Sequence, residues 1–396
     1  MTPGARLSAA IELLDAALAS APAERELTRW ARASRFAGSK DRAAVRDLVY
    51  DGLRRRRSLG WRGGGDTGRA ILLALAAESG DLDPPFTGEG FDPPPVTAAE
   101  RAALSRDLAD APGPVRLDYP DFLHNELAAS LGADLEPILA AMQARAPVDL
   151  RVNTLKTNPD AATVVLARDG VQVEPHPLAR GVLRVLQNAR LVAASRAYTQ
   201  GMVELQDASS QVVVEIAAPR PGMTVLDYCA GGGGKTLALA AALHGQGRLM
   251  AWDINPRRMA DLPERARRAG AEVRILTDPE CAALKPVCDL VLADAPCSGT
   301  GAWRRKPEGK WRLTPAELDA FPPLQDSILD LAAARVKPGG LLVYSTCSLL
   351  ARENEARAEA FARRHPAWRP DGARRLSPLD GGDGFFIARF RAPKRG

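Results

Sequence analysis

The amino-acid sequence predicts an α/β protein in which an all-helical segment precedes a doubly wound, mostly parallel sheet. Three observations carry that prediction. From Met202 onward, β-patterned runs alternate with helix-patterned runs, as a parallel sheet covered on both faces requires. Four consecutive glycines, Gly231 to Gly234, stand between the first of these strands and the next helix, where bare backbone approaches a ligand closely. Residues 1–82 show only helical periodicity.

Composition narrows the class. A chain of 396 residues holds two or three domains, and 46% hydrophobic with 26% charged residues is ordinary for a globular protein. There is no apolar run long enough for a transmembrane helix. Met1 to Ser20 reads as an amphipathic helix carrying Glu12 and Asp15, unlike a secretory signal, so the cytoplasm is the expected compartment. Five cysteines without a C-x-x-C pair argue against a disulfide framework or a zinc ribbon, and no metal is expected. A net charge of +5 mildly favours a polyanionic partner.

Taken in order, Leu7, Ile11, Leu14 and Leu18 repeat at helical spacing, as do Val45, Leu48, Val49 and Leu53. Arg54 to Arg57 closes a helix, either as a solvated end or as an RNA-phosphate contact. Residues 83–95 are rich in proline and glycine and read as a linker. Helices are expected over Thr97–Ala109 and Phe122–Ala144. Leu150-Arg151-Val152, Val171–Glu174 and Val182–Val185 then read as strands around a helix from Pro159, completing a helical plus small α/β unit over 96–200. In the unit over 201–396, strands are expected at Thr224–Tyr228, Arg248–Asp253, Val273–Leu276, Asp289–Ala293 and Leu341–Ser345. Helices are expected at Pro256–Ala269 and Leu324–Val336, the latter beginning after an interruption at Pro322-Pro323. Phe385–Phe390 reads as an added antiparallel strand.

The loop Cys229-Ala230-Gly231-Gly232-Gly233-Gly234-Lys235-Thr236 admits two nucleotide readings. A P-loop requires glycine at position 229, which is Cys229, so that match is broken. A doubly wound nucleoside site requires an acid about twenty residues further on to hold ribose hydroxyls. Asp253 stands there, followed by the helix-opening pair Asn255-Pro256.

The fourth and fifth strands run into Asp294-Ala295-Pro296-Cys297-Ser298-Gly299-Thr300-Gly301 and Thr346-Cys347-Ser348. In a doubly wound sheet these strands neighbour the first, and ligands bind at their carboxyl ends. Asp294, Cys297 and Cys347 are therefore expected to converge beside the cofactor. The bland alternative is two buried structural cysteines and a strand-ending aspartate.

These blocks resemble the Sun family of RNA 5-methylcytosine methyltransferases, the group that includes the bacterial RsmB enzymes. Leu150 to Lys156, Gln206-Asp207-Ala208-Ser209-Ser210, Arg304-Arg305-Lys306-Pro307 with Lys310-Trp311, and Gly384-Phe385-Phe386 extend the similarity over roughly residues 120 to 391. Lys40-Asp41-Arg42 to Arg54 more weakly resembles the NusB-like RNA-binding domain at the front of those enzymes. The resemblance implies a class I S-adenosylmethionine-dependent methyltransferase fold, Rossmann-like, with a NusB-like helical domain and a small α/β RNA-binding subdomain. It implies Cys347 as the nucleophile toward carbon 6 of cytosine and Cys297 as the group that releases the product. It further implies Asp294 and Lys235 at the base. The S-adenosylmethionine site would comprise Cys229, Ala230, Gly231, Gly232, Gly233, Gly234, Lys235, Asp253, Asp278 and Asp294, with Asp253 on the ribose and Asp278 on the adenine. Arg304, Arg305 and Lys306 would contact RNA phosphates. Ribosomal RNA, 16S-like, is the favoured substrate. Transfer RNA and an inactive ribosome-assembly factor are the alternatives. The sequence departs from the family at Gly231-Gly232, usually Ala-Pro, and at Pro279 after Asp278.

Overall fold

The computed structural model describes residues 1–80, 82 and 84–394. Asp83, where the expected linker begins, and Arg395-Gly396, at the end of the expected catalytic region, lie outside the described residues. The chain forms two compact units. One comprises Met1–Arg145 with Trp303–Thr314, and the other Ala146–Ala302 with Pro315–Gly396.

The first unit is helical. Its main helices are Pro3–Leu18, Ala23–Ala33, Ser39–Arg54, Arg56–Gly63 and Gly68–Glu78. Val45, Val49 and Leu53, spaced one helical turn apart on Ser39–Arg54, are buried with Leu14 and Ile71 of two neighbouring helices in its core. Phe86, inside the proline-rich stretch, is buried in the same core and anchors that stretch. The helix expected over Phe122–Ala144 is two helices, His124–Leu131 and Leu135–Gln143, because Gly132 between them has a φ of +54°. Thr97–Ala109 holds the α-helix Ala98–Leu104 and the start of a 3₁₀ turn, Leu108–Asp110.

The run Arg54 to Arg57 is neither a solvated end nor a free basic patch. Arg54 pairs with Asp51, Arg55 with Glu78 at 2.6 Å, Arg56 with Asp66, and Arg57 with Asp121 at 2.7 Å. The inserted stretch 303–314 finishes that helix end. Lys310 Nζ donates to the carbonyl of Arg54 at 3.0 Å and Trp311 Nε1 to that of Leu53 at 2.6 Å, satisfying carbonyls left open by the last turn.

In the second unit, strands β1 (Asp149–Val152), β2 (Gln172–Pro175), β3 (Val182–Gln187) and β4 (Val203–Leu205) form an antiparallel sheet in the order β2-β3-β1-β4. Strands β5 (Thr224–Asp227), β6 (Arg248–Ala251), β7 (Arg274–Ile275), β8 (Cys288–Asp294), β9 (Val336–Thr346), β10 (Arg369–Leu376) and β11 (Phe385–Arg391) form a larger sheet. Its order is β10-β11-β9-β8-β5-β6-β7, parallel from β9 to β7 and antiparallel at β11 and β10. The first, fourth and fifth parallel strands are thus adjacent, as the class I arrangement implied by the resemblance requires. Leu226, Val291 and Leu342 are fully buried, as central parallel strands must be.

One strand, β10, has no counterpart among the sequence expectations, and two expectations are corrected. β10, with the sequence Arg-Pro-Asp-Gly-Ala-Arg-Arg-Leu, has no strand pattern and exists because β11 supplies a partner. Pro256–Ala269 divides into a 3₁₀ turn, Pro256–Met259, and a helix, Leu262–Ala269, with Pro263 in its first turn. Pro322-Pro323 does not interrupt its helix, which is continuous from Pro315 to Ala333. Leu318, Gln325 and Leu329 are buried on one side, and this packing outweighs the backbone bonds lost at the two prolines.

Candidate active site

The glycine loop follows β5. Gly231 and Gly233 have φ of +52° and +80°, a left-handed backbone that other residues adopt at a cost, and the helix Gly234–Ala242 begins immediately after. The Gly231 N–H donates to Asp253 Oδ2 at 2.9 Å, so the loop is tied to the end of β6. Asp253 also accepts from Asn255 N at 2.9 Å and from Arg258 Nη1 at 3.0 Å. Asp227 Oδ2 accepts from Thr236 Oγ1 at 2.7 Å, while its buried Oδ1 has no protein partner. Burial pushes the Asp227 carboxyl up to about 7. Burial also lifts the Cys229 thiol well above its ordinary range, which keeps it neutral. Asp278 is exposed and accepts from Trp252 Nε1 at 2.9 Å.

These groups fit a nucleoside-containing cofactor with a cationic amino-acid tail. The unpartnered Asp227 oxygen is an acceptor held in a dry site, and Asp253 and Asp278 offer acceptors suited to ribose hydroxyls and an exocyclic amine. The loop is braced from beneath. Arg151 of β1 is buried and donates to the Gly234 carbonyl at 2.6 Å and to Gln206 Oε1 at 2.5 Å. Burial brings the Arg151 guanidinium down to about 10.

Four further side chains meet at the ends of β5, β8 and β9. Lys235 Nζ donates to Asp294 Oδ2 at 2.7 Å and lies 5.1 Å from the centre of the Phe385 ring. Burial alone would lower the Lys235 ammonium, but the Asp294 contact outweighs it and holds the ammonium above its ordinary value. Asp294 Oδ1 accepts from Ser345 Oγ at 2.7 Å, which fixes the carboxylate plane. Cys297 Sγ lies 3.5 Å from Cys347 Sγ. Its hydrogen bond to Cys347, and then burial, push the Cys297 thiol well above the usual range.

The two cysteine loops are locked together by backbone. Gly301 N donates to the Cys347 carbonyl and Gly384 N to the Gly301 carbonyl, both at 2.9 Å. A Cβ at Gly301 would lie 2.1 Å from the Gly384 oxygen, so only glycine permits this approach.

The structure thus gathers Lys235, Asp294, Cys297 and Cys347 at one point, with Gly231 bonded to Asp253 at the neighbouring strand end. The three candidate phosphate contacts lie instead in the helical unit. Arg304 is only 6% exposed, Arg305 is half-buried, and Lys306 is the exposed cation of the three. Sequence reasoning missed Glu353, Gln325 and Arg151 as parts of this architecture. Arg151 stood in a quoted motif without a role, and Glu353 lies six residues beyond Cys347 in a charged run that reads as an ordinary helix start.

Residues 214–391 match the family described as 16S rRNA methyltransferase RsmB/F, and residues 119–192 match its ferredoxin-like domain. Ribosomal RNA small subunit methyltransferase B of Erwinia tasmaniensis is 33% identical over 284 residues, covering 69% of this chain and 66% of that protein. The match therefore spans just under two thirds of the relative's length. Among solved structures, PH0851 superposes with a TM-score of 0.79 at 23% identity over 98% of this chain and 99% of its own. A methyltransferase homologue from Pyrococcus horikoshii gives a TM-score of 0.62 at 27% identity, over 70% of this chain and 97% of its own.

Proposed function

Because the chain belongs to the RsmB/F family of methyltransferases, with S-adenosylmethionine as cofactor, we propose that it methylates carbon 5 of a cytosine in small-subunit ribosomal RNA. The observation that carries the reading is the pair of thiols 3.5 Å apart beside the Lys235–Asp294 ion pair. The ribosomal choice is supported by the name of the Erwinia relative. Retention of both thiols and the cofactor acids speaks against an inactive assembly factor.

Carbon 5 of cytosine is a weak nucleophile until a group adds to carbon 6. Cys347, as thiolate, forms the S–C6 bond, and the displaced ring electrons make carbon 5 nucleophilic. Asp294, held by Lys235 and Ser345, contacts the base edge and offsets charge at the ring nitrogen. The cofactor supplies an electrophilic methyl group to carbon 5. A base then removes the carbon-5 proton, the C5=C6 bond re-forms, and the Cys347 thiolate departs, a release step assigned to Cys297, whose sulfur lies 3.5 Å away. Asp253 and Asp278 are assigned to ribose and adenine, and Cys229 to Gly234 line the cofactor. The target base must leave any stack to reach the thiols. Lys306 and Arg305 serve as phosphate contacts, and Arg304 acts through packing.

RNA carrying 5-fluorocytosine cannot lose the carbon-5 substituent, so the adduct should be trapped when cofactor is present. Cys347→Ala is expected to abolish that adduct, and Cys297→Ala to accumulate an adduct on ordinary RNA. Unchanged adduct levels in both variants would refute the roles assigned to the two thiols.

A further inference from the structure

We infer that Glu353 is a positioning residue that clamps the Cys297 and Cys347 loops at their working separation. Its carboxylate is fully buried, and its four hydrogen-bond donors are all neutral. Oε1 accepts from the backbone N–H of Ser298 at 2.9 Å and from Gln325 Nε2 at 3.1 Å. Oε2 accepts from the hydroxyls of Ser298 and Ser348. Ser298 immediately follows Cys297, and Ser348 immediately follows Cys347. One carboxylate therefore grips the residue after each thiol.

The arrangement is specific to a carboxylate-shaped acceptor. A buried anion without a cation is costly, and it persists only when several donors converge on it. Gln325, which completes the set, also donates to the Pro296 carbonyl at 3.0 Å, one residue before Cys297. The backbone of Glu353 holds the strand as well, since its carbonyl accepts from Tyr344 Oη at 2.6 Å. Asn354 grips the Cys347 loop from the other side, accepting from Thr346 Oγ1 and donating to the Ser348 carbonyl at 2.9 Å. Without the carboxylate, two loops fifty residues apart in sequence would keep their backbone contacts at Gly301 and the hydroxyl contacts of Ser348 with Ser298 and Thr300, both at 3.2 Å, but lose the acceptor that orients both serine hydroxyls and the Ser298 N–H.

The inference concerns the same site as the proposed methylation, but its primary readout needs no RNA. The two thiols at 3.5 Å serve as a ruler, because diamide accepts two electrons and two protons and joins them as a disulfide. The Cys297–Cys347 disulfide is followed by mass spectrometry on the full chain. Glu353→Ala should slow its formation by roughly 10-fold or more, while Glu353→Gln, which keeps one of the two acceptor oxygens, should give an intermediate rate. Should Glu353→Ala fail to fold, the double variant Ser298→Ala, Ser348→Ala removes two of the four donors and should slow the same reaction. In methylation assays Glu353→Ala should lower kcat and leave the cofactor KM nearly unchanged. Wild-type disulfide rates in both Glu353→Ala and the double-serine variant would overturn the clamp. If the ruler responds as expected but the wild-type protein transfers no methyl group to RNA, the clamp stands and the proposed activity falls.

Discussion

Each unit of the protein buries one lysine, and the two lysines are driven in opposite directions. Lys310, in the helical unit, donates to a backbone carbonyl and lies over the Trp311 and Trp303 rings at 4.8 and 5.8 Å. Burial brings it down to about 8, and the attraction of Asp118 only partly offsets that. Asp118 is itself buried, pushed up, and committed to Ser58 and Gln143. Lys235, in the catalytic unit, suffers the same desolvation but touches Asp294 at 2.7 Å and ends above its ordinary value. Burial is common to both. A carboxylate in direct contact decides whether a buried ammonium holds its proton more or less tightly than in water. The first lysine is a staple for a helix end, and the second is a fixed charge at the proposed reaction site.

The sharpest way to break this comparison is to delete each charge at constant shape. Lys235→Met should leave the fold intact and reduce methyl transfer by about 10³-fold, as loss of a preorganised charge beside a reacting base does. Near-normal kcat in that variant would remove Lys235 from the site chemistry.

Lys310→Met should instead act on stability. The unfolded chain holds the Lys310 proton up to about 10.5, whereas the folded chain releases it near 8, so folding is disfavoured by this group below about 8 and relieved as pH rises. Relative to Lys310→Met, the wild-type protein should therefore gain stability between pH 8 and 10.5, by about 3 kcal/mol at most. Denaturant unfolding of both proteins across that range measures the slope, and parallel profiles would refute it.

The smallest effect belongs to the stretch that carries Lys310. Lys306→Ala should weaken RNA binding a few-fold and reduce the salt dependence by about one counterion. Arg304→Ala should lower the melting temperature and leave the salt slope unchanged, because its side chain is packed away from solvent. A change of salt slope in the arginine variant would reverse that distinction.

Much of the catalytic unit was written in the chain order. Alternation of strands and helices, four glycines after a buried strand, and an acid at Asp253 define a doubly wound nucleoside site through local rules of periodicity and turn chemistry. Aspartate and cysteine at consecutive strand ends followed from the same topology, since the ends of adjacent parallel strands share one edge. Long-range competition was not legible. Pro322-Pro323 stays helical because buried neighbours outweigh a local penalty, and β10 exists because β11 offers it a ladder. The four arginines at 54–57 are bound by carboxylates up to sixty-four residues away, so their charge is spent within the unit. Local propensity and spacing could announce which residues carry chemistry. Only tertiary packing decided which charges are neutralised, and which buried carboxylate holds two distant loops together, because hydrogen bonds and desolvation depend on distance in space.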